Sequence, residues 1–256
     1  MNNVIVPLNA FNRDEVIQKG QAAFVKDIAH SGAYGIEIRR ELFLEGNGAF
    51  EQIRREIENE QLFTVFSAPV EVWKADHTLN KLLLQRTIEE AKLLGANWVK
   101  VSLGYYSPKK SNLSDLKNLV RNESIQLFVE NDQTEHGGRV ERLKSFFENA
   151  LNQNISVKMT FDSGNWYYAK QSIPKALEQL SPYVGYLHLK HVENHGGSLV
   201  TLPLIDTNDA EWRKIVNFFP NHLPKALEFP IDPVSKTKDF INLVQEAIFR
   251  ESGVII

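Results

Sequence analysis

The sequence predicts a closed (β/α)8 barrel, an α/β fold of the TIM type, on three observations. Eight short runs rich in Val, Ile, Leu and Phe alternate with longer stretches of helical period. Their starts recur at intervals of about 28 to 41 residues, the length of one strand–helix unit. No long linker interrupts the alternation, and a parallel barrel of about 250 residues is an ordinary size for one domain, so residues 1–256 are expected to form a single unit. A doubly wound open sheet is the competing arrangement, and it often carries a glycine-rich phosphate turn after its first strand. Here the first run leads into Pro7-Leu8-Asn9-Ala10-Phe11, and neither GxGxxG nor GxxxxGK[ST] occurs anywhere.

The expected strands are 4–8 (VIVPL), 34–39 (YGIEIR), 62–67 (LFTVFS), 97–103 (NWVKVSL), 125–131 (IQLFVEN), 156–162 (SVKMTFD), 184–190 (VGYLHLK) and 225–229 (KALEF). The expected helices are 13–30, 48–60, 78–95, 112–123, 138–152, 171–180, 209–218 and 235–250. The third is the clearest, with Leu79, Leu82, Leu83, Leu84, Ile88, Ala91 and Leu94 at helical spacing before Gly95, a C-terminal stop. The fourth opens at Ser111-Asn112 and Ser114, each able to accept a hydrogen bond from a first-turn N–H. The last follows Pro233 and carries Phe240, Val244, Ala247 and Ile248 on one face.

Composition removes several classes of function. The chain has no cysteine, which excludes disulfide scaffolds, thiolate-bound zinc, iron–sulfur clusters and thiol nucleophiles. The formal net charge is −3, with no long run of one sign, so no nucleic acid is expected as a partner. No basic segment followed by an apolar stretch opens the chain, and no run approaches the roughly 18 apolar residues of a membrane span. A cytoplasmic protein without a membrane partner is the simplest expectation.

The last four strands each end in a residue able to bind a cation: Glu130 in LFVEN, Asp162 in MTFDSGN, His188 in YLHLK and Glu228 in ALEFP. Polar residues at the C-terminal ends of barrel strands read as site residues, because the packed interior tolerates few charges. Three carboxylates and an imidazole converging on one mouth repel one another unless a cation sits among them. An oxygen-rich set with one nitrogen suits Mn²⁺, Mg²⁺ or Co²⁺ better than a metal that prefers thiolates.

With these motifs the chain resembles the xylose isomerase-like TIM-barrel superfamily, the sugar phosphate isomerase/epimerase group. The resemblance runs through GIEIR, VEN, FDSGN, HLK and LEFP and covers nearly the whole chain. It implies that Glu130, Asp162, His188 and Glu228 hold one divalent metal, Mn²⁺ first and Mg²⁺, Co²⁺ or Zn²⁺ after it. It further implies that Glu130 and Glu228 form the acid/base pair of an isomerase or epimerase acting on a sugar or sugar acid through an enediolate. Such chemistry needs one carboxylate to take the proton beside a carbonyl and a second to return it on the opposite face. Ketose 3-epimerases usually carry His three residues after the sixth-strand Asp and many carry Arg six after the seventh-strand His. This chain has Asn165 and Asn194 there, so the resemblance carries the metal set and not the sugar. A dehydratase using the same metal set and a non-catalytic metabolite-binding barrel are the alternatives. A hydrolase like endonuclease IV is disfavoured, because the first four strand ends offer no histidines for a zinc cluster.

Glu37 and Arg39 share a strand face, either as substrate contacts at the mouth or as an internal ion pair. Lys190 shares the face of His188 and is expected to touch a substrate oxygen or to offset the ligand carboxylates. Arg39 and Lys190 tilt the expected substrate toward an acidic or phosphorylated sugar. Asn165 and Trp166 follow the sixth strand and are placed in the substrate pocket; Tyr105 and Tyr106 either stack on a sugar face or merely cover the barrel rim. Gly137-Gly138-Arg139 reads more readily as a solvated loop than as an anion cradle. The expected partners are a small-molecule carbohydrate and, at most, further copies of the chain as a homo-oligomer.

Overall fold

The computed structural model of the chain describes residues 3–44 and 49–251. Ten strands are β1 (Val4–Pro7), β2 (Gly35–Arg39), β3 (Phe63–Trp73), β4 (Trp98–Gly104), β5 (Gln126–Glu130), β6 (Val157–Asp162), β7 (Val184–Leu189), β8 (His191–His195), β9 (Ser198–Leu202) and β10 (Lys225–Leu227). Eight of them close into a parallel barrel in the order β1-β10-β7-β6-β5-β4-β3-β2, while β8 and β9 pair as a separate antiparallel hairpin. The helices are α1 (Arg13–Lys19), α2 (Val25–His30), α3 (Phe50–Asn59), α4 (Lys81–Leu94), α5 (Leu113–Val120), α6 (Val140–Asn152), α7 (Asn165–Tyr168), α8 (Ile173–Leu180), α9 (Glu211–Phe218) and α10 (Thr237–Glu251). This is the (β/α)8 barrel the alternation predicts, with strands and helices close to the expected places. Residue 48, the expected start of the second helix, lies outside the described residues.

Local chemistry sets the ends of these elements. Asn12 caps α1 by accepting from Glu15 N–H at 3.1 Å, and Ser172 caps α8 at Lys175 N–H at 3.4 Å, ahead of Pro174 in the first turn. α4 ends at Gly95 in the left-handed conformation, φ +72°. The expected helix 13–30 is broken at Gly20, whose φ of +77° no helix interior accommodates. The break turns Gln21 inward, where its amide exchanges two hydrogen bonds of 2.9 Å with the backbone of Arg39 and fixes the end of β2. β3 runs past the expected residue 67 to Trp73, after a register shift between Ser67 and Glu71. The β8–β9 hairpin was not expected. It accounts for the long interval before the last barrel strand.

Side chains alternate across each strand, so one face of every strand fills the barrel. Ile5, Val65, Phe128, Tyr186 and Ala226 form the apolar floor, with Trp98 tilted against Phe128 at 4.5 Å and edge-on to Tyr186 at 5.5 Å. Two residues further along the same faces the character changes: Trp98 gives way to Lys100, Phe128 to Glu130, Tyr186 to His188 and Ala226 to Glu228. An apolar plug thus supports a charged layer directly above it. The outer faces pack against the helices in one continuous core.

Candidate active site

Each of the four strand-end residues has one polar atom tied back into the protein and one facing a common centre. Asp162 Oδ1 accepts from the backbone N–H groups of Gly164 and Asn165, both at 2.9 Å. Lys100 Nζ donates to Glu130 Oε2 at 2.7 Å. Asn9 Nδ2 and Arg39 Nη1 each donate to Glu228 Oε1 at 3.0 Å. His188 Nε2 meets Glu37 Oε2 at 3.0 Å. That leaves Glu130 Oε1, Asp162 Oδ2, Glu228 Oε2 and His188 Nδ1. The imidazole Nδ1 lies 2.7 Å from Glu228 Oε2, 3.1 Å from Glu130 Oε1 and 3.9 Å from Asp162 Oδ2. Taking one ligand atom from each residue, all four fall within 4.8 Å of one another.

This arrangement fits a divalent cation. Glu130 Oε1 is buried without a hydrogen-bond donor, and buried Asp162 Oδ2 has only the ion-pair contact of Lys190 Nζ at 2.7 Å. Buried oxygens in that condition are costly, and their lone pairs are what a cation takes. The Nε2–Glu37 contact is the outer support found behind metal-binding histidines, and it turns Nδ1 toward the other three ligands, where it meets Glu228 Oε2 at 2.7 Å.

The strand ends are stitched together so that the ligands hold their places. Asn131, fully buried, accepts from Asp162 N–H at 2.8 Å and donates to Asp162 C=O at 3.0 Å, locking the end of β5 to that of β6. Ser163 N–H donates to His188 C=O, and Lys190 N–H donates to Ser163 Oγ, both at 2.9 Å, which locks β6 to β7. Gly164 is required at this joint. A Cβ there would stand 2.8 Å from Lys190 Cβ and 2.9 Å from Val192 Cγ2.

Charge in the layer is nearly balanced. Glu37, Glu130, Asp162 and Glu228 face Arg39, Lys100, Lys190 and the imidazole. Burial pushes the Asp162 carboxyl up to about 7; Lys190 opposes the rise, and Glu228 and Glu130 add to it. Burial and Lys100 work against a charged His188, yet Glu228, Glu37 and Glu130 outweigh them and hold it up at about 9. Burial would raise Glu228 as well, but Lys190, His188 and Lys100 keep it well below the usual carboxylate range.

Above the layer opens a cavity of about 720 Å³, lined by Arg39, Glu130, Asn165, Lys190 and Glu228 and also by Val70, Glu71 and Leu83. Of the residues expected at the substrate, Asn165 and Lys190 are in its wall, Lys190 Nζ lying 3.3 Å from Asn165 Oδ1. Glu37 lies beneath the cavity, fully buried, where it pairs with Arg39 at 2.7 Å and props His188: the internal ion pair is the reading the structure supports. Trp166 is also fully buried, packed on Phe161 at 5.3 Å, because the short α7 turns it under the barrel rim rather than toward the cavity. Arg39 is in the wall, but its guanidinium is engaged by Glu37, Glu41 and Glu228, so it does not stand free to receive an anion.

Other readings resolve in the same way. Tyr105 stacks on His136 at 3.7 Å, and Tyr106 is buried. Gly137 and Gly138 spend their N–H groups on Thr134 at 2.9 Å, and Arg139 pairs with Glu135, so the loop offers no anion cradle. His191 and His195, which lie just past His188 in the sequence, flank Glu193 on the hairpin strand β8 and are not among the four clustered ligands. Lys100, Asn9, Asn131 and Tyr186 belong to the site and were not anticipated. The signal available for Lys100 was a single cation in the apolar run WVKVSL.

No protein-family profile and no curated protein sequence matches the chain. Solved structures do. A xylose isomerase domain-containing protein of Salmonella typhimurium superposes with a TM-score of 0.71 at 14% identity, covering 97% of both chains. The IOLI protein, solved with a bound zinc atom, gives 0.67 at 12% identity over 98% of this chain and 97% of that one. D-psicose 3-epimerase of Clostridium cellulolyticum, solved with D-tagatose, gives 0.63 at 10% identity over 98% of each. The fold is therefore that of the xylose isomerase-like TIM barrels. Among the described residues no helix is long and apolar enough to cross a membrane.

Proposed function

We propose that the chain is a divalent-metal-dependent isomerase or epimerase of a small sugar or sugar acid. The observation that carries this reading is the convergence of Glu130 Oε1, Asp162 Oδ2, His188 Nδ1 and Glu228 Oε2, each on a residue whose other polar atom is anchored outward. The fold shared with an epimerase solved with its sugar supports the same direction. Those four residues would hold the ion, with Mn²⁺ the first candidate. When bound, the ion polarises a substrate carbonyl and steadies negative charge on its oxygen.

The chain's own groups do the rest. Glu130 and Glu228 project from β5 and from the end of β10 and both reach the cavity, so a sugar carbon between them has a carboxylate on either side. One removes the proton beside the carbonyl, generating an enediolate, and the other returns a proton. Lys100 on Glu130, and Arg39 with Asn9 on Glu228, keep both carboxylates oriented. The apolar floor of Phe128, Tyr186 and Ala226 shuts water out from below.

The test is exchange of the substrate α-proton with D₂O, followed by NMR over ketoses, ketogluconates and inososes with added Mn²⁺. The reading expects exchange with at least one of them. It also expects a loss of about 10²–10⁴-fold in Glu130→Gln and in Glu228→Gln. Full exchange in both variants with metal still bound would remove the two glutamates from the mechanism.

A further inference from the structure

Lys190 does something the four-residue cluster does not explain. Its Nζ lies 2.7 Å from Asp162 Oδ2 and 2.9 Å from Glu228 Oε2. These are the inward-facing oxygens of the two carboxylates, since Asp162 Oδ1 is held by Gly164 and Asn165 and Glu228 Oε1 by Asn9 and Arg39. An ammonium and a divalent cation thus contend for the same two atoms. Lys100 and Arg39 do not compete in this way: Lys100 hydrogen-bonds Glu130 Oε2 and Arg39 hydrogen-bonds Glu228 Oε1, the outward oxygens.

We infer that Lys190 is a built-in placeholder, which holds Asp162 and Glu228 in position until a divalent cation displaces its ammonium toward the cavity. The inference rests on the metal-site reading above. Three features make the exchange feasible. The ammonium meets both oxygens as a single flexible cation on the end of a four-carbon stem, so it can swing away without backbone movement. Asn165 Oδ1, 3.3 Å from Nζ, offers a second anchor on the cavity side. The Lys190 side chain itself lines the cavity, so its new position faces the substrate's oxygens. One cation replaces another, so the carboxylates are never left uncompensated in a buried layer, where unpaired charge is costly. The ammonium released at that moment becomes a donor for substrate.

The consequence is a trade between stability without metal and affinity for it. In Lys190→Met the competitor is gone. Calorimetric titration of chelator-treated protein with Mn²⁺ is expected to show affinity at least about tenfold above wild type, from the screened repulsion between two cations at one cluster. Melting in chelator should drop for Lys190→Met, and saturating Mn²⁺ should restore most of the loss. A lysine of merely structural value would lower melting with and without metal and leave the affinity alone. Lys190→Gln, which keeps a donor of similar reach, guards against a misfolded Met variant and should also bind Mn²⁺ more tightly than wild type. In the wild type, ¹⁵N-lysine NMR should show the Lys190 ammonium signal shifting on Mg²⁺ or Zn²⁺ addition. Equal or weaker metal affinity in both variants, or a Lys190 signal indifferent to metal, overturns the placeholder and leaves the metal site standing. No metal uptake by wild type or either variant overturns both.

Discussion

Glu37→Gln isolates what the buried ion network contributes. Glu37 is fully buried, and its two oxygens divide the work. Oε1 accepts from Arg39 Nη1 at 2.7 Å and lies 3.5 Å from Lys100 Nζ, while Oε2 meets His188 Nε2 at 3.0 Å and accepts from Tyr186 OH at 2.9 Å. A glutamine has the same shape but must turn its NH₂ to one side or the other. Either way a donor faces donors, and Arg39 and Lys100 lose a buried counter-charge. Removing one partner of a buried pair costs about 3–5 kcal/mol. For a chain of this size 1 kcal/mol moves Tm by roughly 2–4 °C, so Tm should fall by about 6–12 °C at the lower figure. The His188 imidazole also loses its outer support, which typically weakens metal affinity by about 10–100-fold. Scanning calorimetry in chelator reads the first effect and Mn²⁺ titration the second. A Tm within about 2 °C of wild type together with unchanged metal affinity would refute the reasoning.

Two further outcomes follow from neighbouring features. Asn131→Ala strips the buried Asp162 N–H and C=O of their partners, at about 1–3 kcal/mol for each unsatisfied group, so thermal melts should show a loss of several degrees; an unchanged Tm would mean that Asn131 is not the clamp it appears from its contacts. His188 is held up at about 9, above its ordinary 6.5, so its contribution to the metal-free fold is present below about 6.5 and is lost as pH rises toward 9. Asp162, raised to about 7, acts with the same sign in an earlier window, from about 4 to 7. Urea unfolding in chelator should therefore show stability falling between pH 6.5 and 9 while Mn²⁺ affinity climbs, because the Nδ1 proton must leave before a metal can bind. A flat or rising stability would contradict the charge assignment.

The barrel was readable because apolar alternation and spacing survive in a single sequence, and the four convergent residues because each interrupts that alternation at the end of a strand. Depth along the barrel axis is not written in the alternation, so Glu37 read equally well as a substrate contact or as an internal pair. Lys100 escaped notice for a related reason: one lysine in an apolar strand can point outward as easily as inward. The Glu37–Arg39 pair was one of two local readings, but the contact of Arg39 with Glu228 joins residues far apart in the chain, and no local pattern reports it. Trp166 was misplaced because an aromatic after a strand suggests the rim, while the single turn of α7 directs it under the rim. The β8–β9 hairpin did carry a local signal. Gly196-Gly197, with φ of +61° and +93°, is a two-residue hairpin turn between alternating runs.

Everything proposed for the site depends on Glu130, Asp162, His188 and Glu228 holding one divalent cation. Anomalous scattering from crystals soaked in Mn²⁺ tests it most directly. A single strong peak is expected about 2.0–2.3 Å from Glu130 Oε1, Asp162 Oδ2, Glu228 Oε2 and His188 Nδ1, with Lys190 Nζ turned to the cavity. A peak elsewhere, or none while Lys190 still bridges Asp162 and Glu228, would contradict it.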